Sequence, residues 1–514
     1  MTTRRAEWTA WALLLATALA LRLIALGERP VHHDESQHGY FSWLLLNTGD
    51  YTYRPVLHGP VDFFSIAASF AIFGDNEYAL RLPHALCGAA LCLVPLLLHR
   101  ELGRLGAFAT GVMLCLSPSM LYYSRFARED IIVVLLTAMA LVAVIRLAHA
   151  PRARHAIVLM AALALSFAAK ESTFITCFAL VVAIAGVALV QRRGGTRLRD
   201  AWALGGARAL GLAPWQYAVA TFLVLITLLF SNGLTNPEGL VTGVADGLSY
   251  WLGQHEVGRG GQPWTFYIVL LALYEGAVVA LAFAGAWIRR DEPFVQFLAL
   301  YALVTLAVYS WAGEKFGWLM LHPLLPCALL AGCGAHAIWA RRAAWPARLA
   351  ASAAAVLFGV SVLGAARASF DRAAADPREI FISPQTSVAS ADAVLALRDS
   401  DRPSAPLLFA VDSTIQWPWT WYLRGRQVVY VGGLNTRAAA AANVAILMDP
   451  AAAALTPALA AHRRRVFGFR LWWVVDYGRA RPRSVARWMG VRRPWSPTGG
   501  DRVWIYDRRV GPPD

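Results

Sequence analysis

Along the first 366 positions, apolar stretches of about 20 residues alternate with short polar connections, and about 20 helical residues cross a hydrocarbon core of roughly 30 Å. Such windows fall at 8–26, 80–98, 105–122, 131–148, 156–170, 172–191, 216–231, 264–288, 295–311, 318–338 and 347–366, which predicts about eleven transmembrane helices. After residue 366 the pattern changes. The stretches Pro406 to Val411, Val428 to Gly432, Val444 to Met448, Trp472 to Val475 and Val503 to Tyr506 read as short buried strands, and Thr386 to Leu397 and Pro457 to His462 as helices between them. The expected architecture is an α-helical polytopic membrane domain over 1–366 followed by an α/β domain over 367–514. That second domain lacks the G-x-G-x-x-G phosphate fingerprint, so nucleotide binding is not indicated.

Composition narrows the class. Of 514 residues, 58% are hydrophobic and only 15% charged, against roughly 25% charged in ordinary soluble chains. A mean hydropathy of +0.48 agrees, and a soluble enzyme is excluded. The net charge of +15 raises nucleic acid as a partner, but the arginines sit in short clusters between apolar runs, where the orientation rule for membrane proteins puts them. No nucleic-acid partner is expected. With a cytoplasmic N-terminus, Arg4, Arg5, Arg100, Arg104, Arg146, Arg152, Arg154, Arg192, Arg193, Arg197, Arg199, Arg289, Arg290, Arg341 and Arg342 all fall inside. An odd number of spans then places the C-terminal domain outside the cytoplasm, as in a multi-pass protein of the plasma (inner) membrane. Arg4 and Arg5 ahead of an apolar stretch give the first span some features of a signal peptide. Its apolar character resumes past Arg22 to Leu26, so an uncleaved anchor is expected. The six cysteines lie in apolar runs without metal-ligand spacing and read as small core residues.

The polar residues that matter are expected on the outer side. A loop over 27–79 carries His32-His33-Asp34-Glu35-Ser36-Gln37-His38 and His58-Gly59-Pro60. Adjacent carboxylates perturb each other's proton affinity, so Asp34 and Glu35 are the candidate catalytic pair, one as base and the other as orienting acid. A zinc-protease reading fails on spacing: His33 and His38 are five apart, about 140° around a helix, whereas paired zinc ligands of that kind need four. Arg125 and Arg128, three apart on an expected short helix, would form a fork for a phosphate, with Glu129 and Asp130 beside them. Asp34, Glu129 and Asp130 are the oxygen ligands available to a hard cation such as Mg²⁺ or Mn²⁺. Lys170 and Lys315 are the only lysines, each adjoining a glutamate, Glu171 and Glu314, at an expected outer helix end. His255, Arg259 and Glu275 add polar groups at the same side, since charges at bilayer edges generally mark a cavity or a transport path. Trp421, in the run Trp417-Pro418-Trp419-Thr420-Trp421-Tyr422, is a candidate for stacking on sugar, with core packing as its alternative.

Taken together, the segments HHDES, HGP, SRFAREDI, AAKES, HEVGRGGQPW, YEG, AGEKFGW and WPWTWYLR resemble the GT-C membrane glycosyltransferases. The branch is that of the protein O-mannosyltransferases and the aminoarabinose transferase of lipid A, and the segments are most similar to a family of predicted GT-C proteins described as flippase-activity-associated. The resemblance runs from about residue 8 to about residue 510. It implies inverting transfer of a hexose or pentose from a polyisoprenyl-phosphate donor to a lipid, glycan or protein acceptor on the outer face. It also implies that Asp34 matches the catalytic acid of the first loop and Glu35 its neighbour. A lipid-linked glycan flippase, or a non-catalytic flippase-associated protein, is the alternative.

Overall fold

The computed structural model describes residues 2–254, 258–370, 378–432 and 436–510. Among them eight helices are long and apolar enough to cross a membrane, and two bent pairs raise the number to ten. Every predicted window coincides with a helix, and the differences lie in continuity. Helix Arg104–Leu116 bends by 59° into Pro118–Ser124, and Phe266–Tyr274 bends by 99° into Gly276–Ile288. The first break falls at a proline, which cannot donate to the preceding turn. The two breaks are tied together: Glu275 accepts from Ser117 Oγ at 2.6 Å and from the Ser119 amide at 3.1 Å.

The window expected at 156–170 is the 15-residue helix Ala153–Phe167, about 22 Å long and shorter than the hydrocarbon core. It stops early because the Ala169 and Ala168 carbonyls accept from the amides of Gly59, at 3.1 Å, and Val61, at 3.0 Å. A Cβ on Gly59 would lie 2.1 Å from the Ala168 carbonyl oxygen, so glycine is required for this approach. The unwound turn that follows carries Lys170 and Glu171.

Residues 27–79, expected as a loop, fold largely into helices. After helix α1 (Thr2–Leu23) come α2 (His33–Thr48) and α3 (Pro60–Phe73), and α4 (Glu77–Leu91) begins the next span. A capping box starts α2: His32 Nδ1 accepts from the Asp34 amide and Glu35 Oε2 accepts from the His32 amide, each at 3.0 Å. The buried positions of α2 include Glu35, Ser36, His38 and Ser42, so no apolar stripe announces it in the sequence.

The basic connections gather at the opposite end of the helices. Arg146 pairs with Glu101 at 3.2 Å, Arg289 donates to the Glu101 carbonyl at 2.8 Å, and Trp202 donates to His149 at 3.2 Å. The last long helix, Trp345–Phe370, leads to the C-terminal domain. Its six-stranded sheet has the order β1-β5-β6-β4-β2-β3, with β1 at Gln385–Thr386, β2 at Leu408–Asp412, β3 at Gln427–Val431, β4 at Val444–Met448, β5 at Arg463–Trp473 and β6 at Thr498–Asp507. β2 runs parallel to β3 and β4, and the other pairings are antiparallel. β5 starts nine residues before the apolar core that predicted it, because Arg463, Arg464 and Arg465 extend the strand into solvent. The stretch expected as a helix at Pro457 to His462 is a 3-10 turn, Thr456–Leu459, after helix Asp449–Leu455.

Aromatic side chains join this domain to the membrane body. Trp421 stacks on Phe70 of α3 at 5.6 Å and donates to Glu77 at 3.1 Å, and the Tyr422 hydroxyl accepts from the Val31 amide at 2.8 Å.

Candidate active site

Neighbouring helical residues point about 100° apart, and at the start of α2 this sends two adjacent acids to different places. Glu35 turns into the protein and is fully buried with Arg81. Arg81 grips both carboxylate oxygens, Nε to Oε1 at 2.7 Å and Nη2 to Oε2 at 2.8 Å, while the Ala127 amide donates to Oε1 at 2.9 Å. Every lone pair facing a donor there is spoken for, and Glu35 does not reach the cavity described below. The expectation of a shared catalytic pair is corrected on this point: Glu35 fixes the backbone of α2 and of the Ala127 turn, and Asp34 faces the cavity alone.

Asp34 is half-buried and paired with Arg128 Nη1. Burial works to raise the Asp34 carboxyl, but the Arg128 guanidinium, helped by His32, His33 and His38, outweighs it and holds the group well below the usual carboxylate range. Burial likewise lowers His32 to about 4, which keeps it neutral as the acceptor that caps α2.

The second motif is not the expected helical fork. Residues 125–129 lie in the turn after helix Pro118–Ser124, and the two arginines diverge. Arg125 donates to the carbonyls of Leu21, Arg22 and Ile24 at 2.7–3.0 Å, closing the end of α1. Arg128 alone faces the cavity, its guanidinium carbon 4.1 Å from the centre of the Trp318 ring, a stacked arrangement that lysine cannot reproduce. Asp130 receives Lys170 Nζ at 2.8 and 2.9 Å, and Glu129 lies 2.8 Å from the same ammonium and 3.2 Å from Arg128 Nη2.

His58 closes the ring of polar groups. Its φ of +64° is left-handed, a conformation costing a non-glycine residue about 1 kcal/mol or more. In return its Nδ1 lies 2.7 Å from Glu171 and its Nε2 3.4 Å from Glu129. Tyr53 donates its hydroxyl to the other Glu171 oxygen at 2.5 Å.

These groups line a cavity of about 470 Å³. Its polar wall carries His33, Asp34, His38, His58, Arg128, Lys170, Glu171, Arg259 and Glu314. Its apolar wall comes from Ile175, Val308, Trp311, Phe316, Trp318 and Leu319. Arg259 and Glu314 arrive together through a backbone bridge. Lys315 does not match Lys170: its Nζ turns back onto the Ala312 carbonyl, and it is absent from the cavity wall. Glu275 sits at the paired helix breaks and Trp421 in the seam between domains, both away from the cavity. His255 lies outside the described residues.

The residue sequence reading missed is Asp62. It accepts from His38 Nδ1 at 2.6 Å on one oxygen and from His84 Nε2 at 2.7 Å on the other, all three groups being buried. An acid four residues after His58 at the head of an apolar stretch was the available signal. Burial works against a charged His38, but the hydrogen bond and charge of Asp62, with Glu129, raise its proton affinity.

The expected oxygen ligands for Mg²⁺ or Mn²⁺ are already matched to other partners, Asp34 to Arg128 and both Glu129 and Asp130 to Lys170. Donor atoms of His38, Asp62 and Glu129 do lie within 4.8 Å of one another. Hydrogen bonds join His38, Asp62 and His84, and the Glu129 carboxylate stands 3.8 Å from His38.

Residues 57–230 match the family described as dolichyl-phosphate-mannose-protein mannosyltransferase. A curated relative, the undecaprenyl phosphate-alpha-4-amino-4-deoxy-L-arabinose arabinosyl transferase of Pseudomonas savastanoi pv. phaseolicola, is 25% identical over 344 residues. That alignment takes in 62% of this chain and 60% of the relative, less than two thirds of its length. Among solved structures, ArnT from Cupriavidus metallidurans bound to undecaprenyl phosphate superposes with a TM-score of 0.60 at 17% identity, covering 96% of this chain and 97% of that one. The oligosaccharyltransferase AglB from Archaeoglobus fulgidus, in complex with an inhibitory peptide and a dolichol-phosphate, gives 0.52 at 13% identity, covering 83% of this chain and 64% of that one. The family match takes in about a third of the chain and the relative is 25% identical over 62% of it, so this multi-pass membrane protein is similar to these transferases in part of its sequence and shares the fold of ArnT over nearly its whole length.

Proposed function

We propose that the protein transfers a sugar from a polyprenyl-phosphate donor to a lipid, glycan or protein acceptor at the outer face of the plasma (inner) membrane, with inversion. The observation that carries the reading is the cavity with two unlike walls. Arg128 and Lys170 supply fixed cations for a phosphate, and Val308, Trp311 and Leu319 supply an apolar surface for the first isoprene units. The relatives act in the same sense: one is named for an undecaprenyl-phosphate-linked aminoarabinose, and another binds undecaprenyl phosphate. The arginine-rich connections at the opposite end of the helices support an outward-facing site.

In this reading the donor phosphate takes a share of the Arg128 guanidinium. The hold on Asp34 weakens as it does so, and the carboxylate becomes the base. An acceptor oxygen attacks the anomeric carbon and its proton passes to Asp34. The bond from that carbon to the phosphate oxygen breaks, and polyprenyl phosphate leaves with the electron pair. Glu171 orients His58, and Trp318 backs Arg128.

The test uses the full chain in lipid nanodiscs with a radiolabelled sugar on undecaprenyl phosphate and an extract of the host envelope as acceptor. Release of undecaprenyl phosphate matched by label in the acceptor fraction is the expected result. Donor that binds and stays intact would move the reading to transport.

A further inference from the structure

The C-terminal domain touches a residue of the cavity wall, His33, through β5. Its register with β6 is regular from Arg463 to Gly468 and again from Leu471, with an irregularity between Gly468 and Leu471, and such a bulge re-aims the side chains within it. Arg470 lies in this bulge. Its Nη2 is 3.4 Å from His33 Nδ1 on α2 and 3.5 Å from the Trp417 carbonyl oxygen, while its Nε is buried without a partner. Among the described residues no carboxylate lies within 4.0 Å of it, Asp501 and Asp34 acting on it only from farther away, in contrast to Arg81 with Glu35, Arg128 with Asp34 and Arg492 with Glu379. A partly buried guanidinium held by two long contacts retains most of its five donors for something else. Beside it the half-buried Trp417 ring packs against Tyr40 and Phe41 at 5.8 and 5.9 Å, and Gln37 lies 3.0 Å from His33 Nε2.

We propose that Arg470, with His33, Gln37 and the Trp417 ring, forms a subsite for an acidic saccharide, binding a phosphate or carboxylate carried by the acceptor. The fork geometry suits a bidentate oxyanion, and an indole face next to it suits a sugar ring. The subsite belongs to the acceptor because its cation comes from the water-facing domain, whereas Arg128 and Lys170, which meet the donor phosphate, come from the membrane body. This assignment to the acceptor rests on the glycosyl-transfer reading, and the binding itself does not.

The test measures binding of glucose 6-phosphate, glucuronate and glucose to the full chain in nanodiscs by saturation-transfer NMR, with undecaprenyl phosphate binding measured in parallel. The parent should bind the two acidic sugars at least about tenfold more tightly than glucose, the size of one charge-assisted contact. Arg470→Gln should remove that preference and leave undecaprenyl phosphate binding unchanged. Arg470→Lys, which keeps the charge and loses the fork, should retain a weaker preference and guards against a glutamine variant that fails to fold. Equal binding of acidic and neutral sugars by the parent overturns the subsite. Equal weakening of undecaprenyl phosphate by Arg470→Gln overturns its assignment to the acceptor and gives the anion to the donor. Acidic-sugar binding through Arg470 in a protein that transfers no sugar would support the subsite while the transfer reading falls.

Discussion

Glu35→Gln is almost isosteric, yet it removes the negative charge from a pair in which both side chains are fully buried. Arg81 would keep only uncharged acceptors, the carbonyls of Leu26 and Arg29 at 3.0 Å and Pro30 at 3.3 Å and the single oxygen of the new amide. Breaking a buried pair from one side costs about 3–5 kcal/mol, because the remaining charge stays uncompensated. The capping box at the start of α2 adds at most about 2 kcal/mol if the amide serves it poorly. A loss of about 3–5 kcal/mol is a large part of the roughly 5–15 kcal/mol that holds a typical domain together. Thermal unfolding in nanodiscs should therefore show a clear drop in Tm for Glu35→Gln. A double variant, Glu35→Gln with Arg81→Met, should recover much of it, since removing both charges avoids the orphan. If Glu35→Gln melts like the parent and loses turnover, the structural role assigned to Glu35 is refuted and the acid belongs in the chemistry.

His38 has a proton affinity raised in the fold by Asp62 and Glu129, against burial and the opposing charge of Arg128. Its contribution to stability is thus complete below the ordinary value of 6.5 and is lost as pH rises through the raised value, so Tm should fall as pH is taken upward from about 6.5. His38→Gln should flatten that slope, and an unchanged slope would remove His38 as its source. Trp421→Ala, at a fully buried site between the domains, should cost about 3–5 kcal/mol and leave saccharide binding in the folded protein unaltered. Weakened saccharide binding at an unchanged Tm would restore Trp421 as a sugar platform.

The membrane helices were legible because burial in lipid demands continuous apolar runs, and every predicted window meets a helix. Their breaks were less so: Pro118 marks the first bend, but the hydrogen bond that ties it to the second comes from Glu275, far away in the chain. Asp34, Arg128, Lys170, Glu171 and His58, which line one cavity, could be singled out because each is a polar group where apolar ones are expected. Adjacency misled at Glu35 and Arg125: neighbours on a helix or turn face different directions, and the distant partners, Arg81 and the carbonyls of α1, decide which one is structural. Asp62 and His84 were hidden inside apolar stretches, and Arg470 in a strand whose bulge no pattern of alternation announces.

Asp34→Asn tests the central claim most directly. The amide keeps the size of the side chain and can still meet Arg128 through its oxygen, but it cannot take up the acceptor proton. With sugar-linked undecaprenyl phosphate as donor, turnover should fall by about 10² or more, while undecaprenyl phosphate binding and Tm stay close to the parent. Full turnover by Asp34→Asn would contradict the assignment of Asp34 as the base and, with donor left intact, would favour transport over transfer.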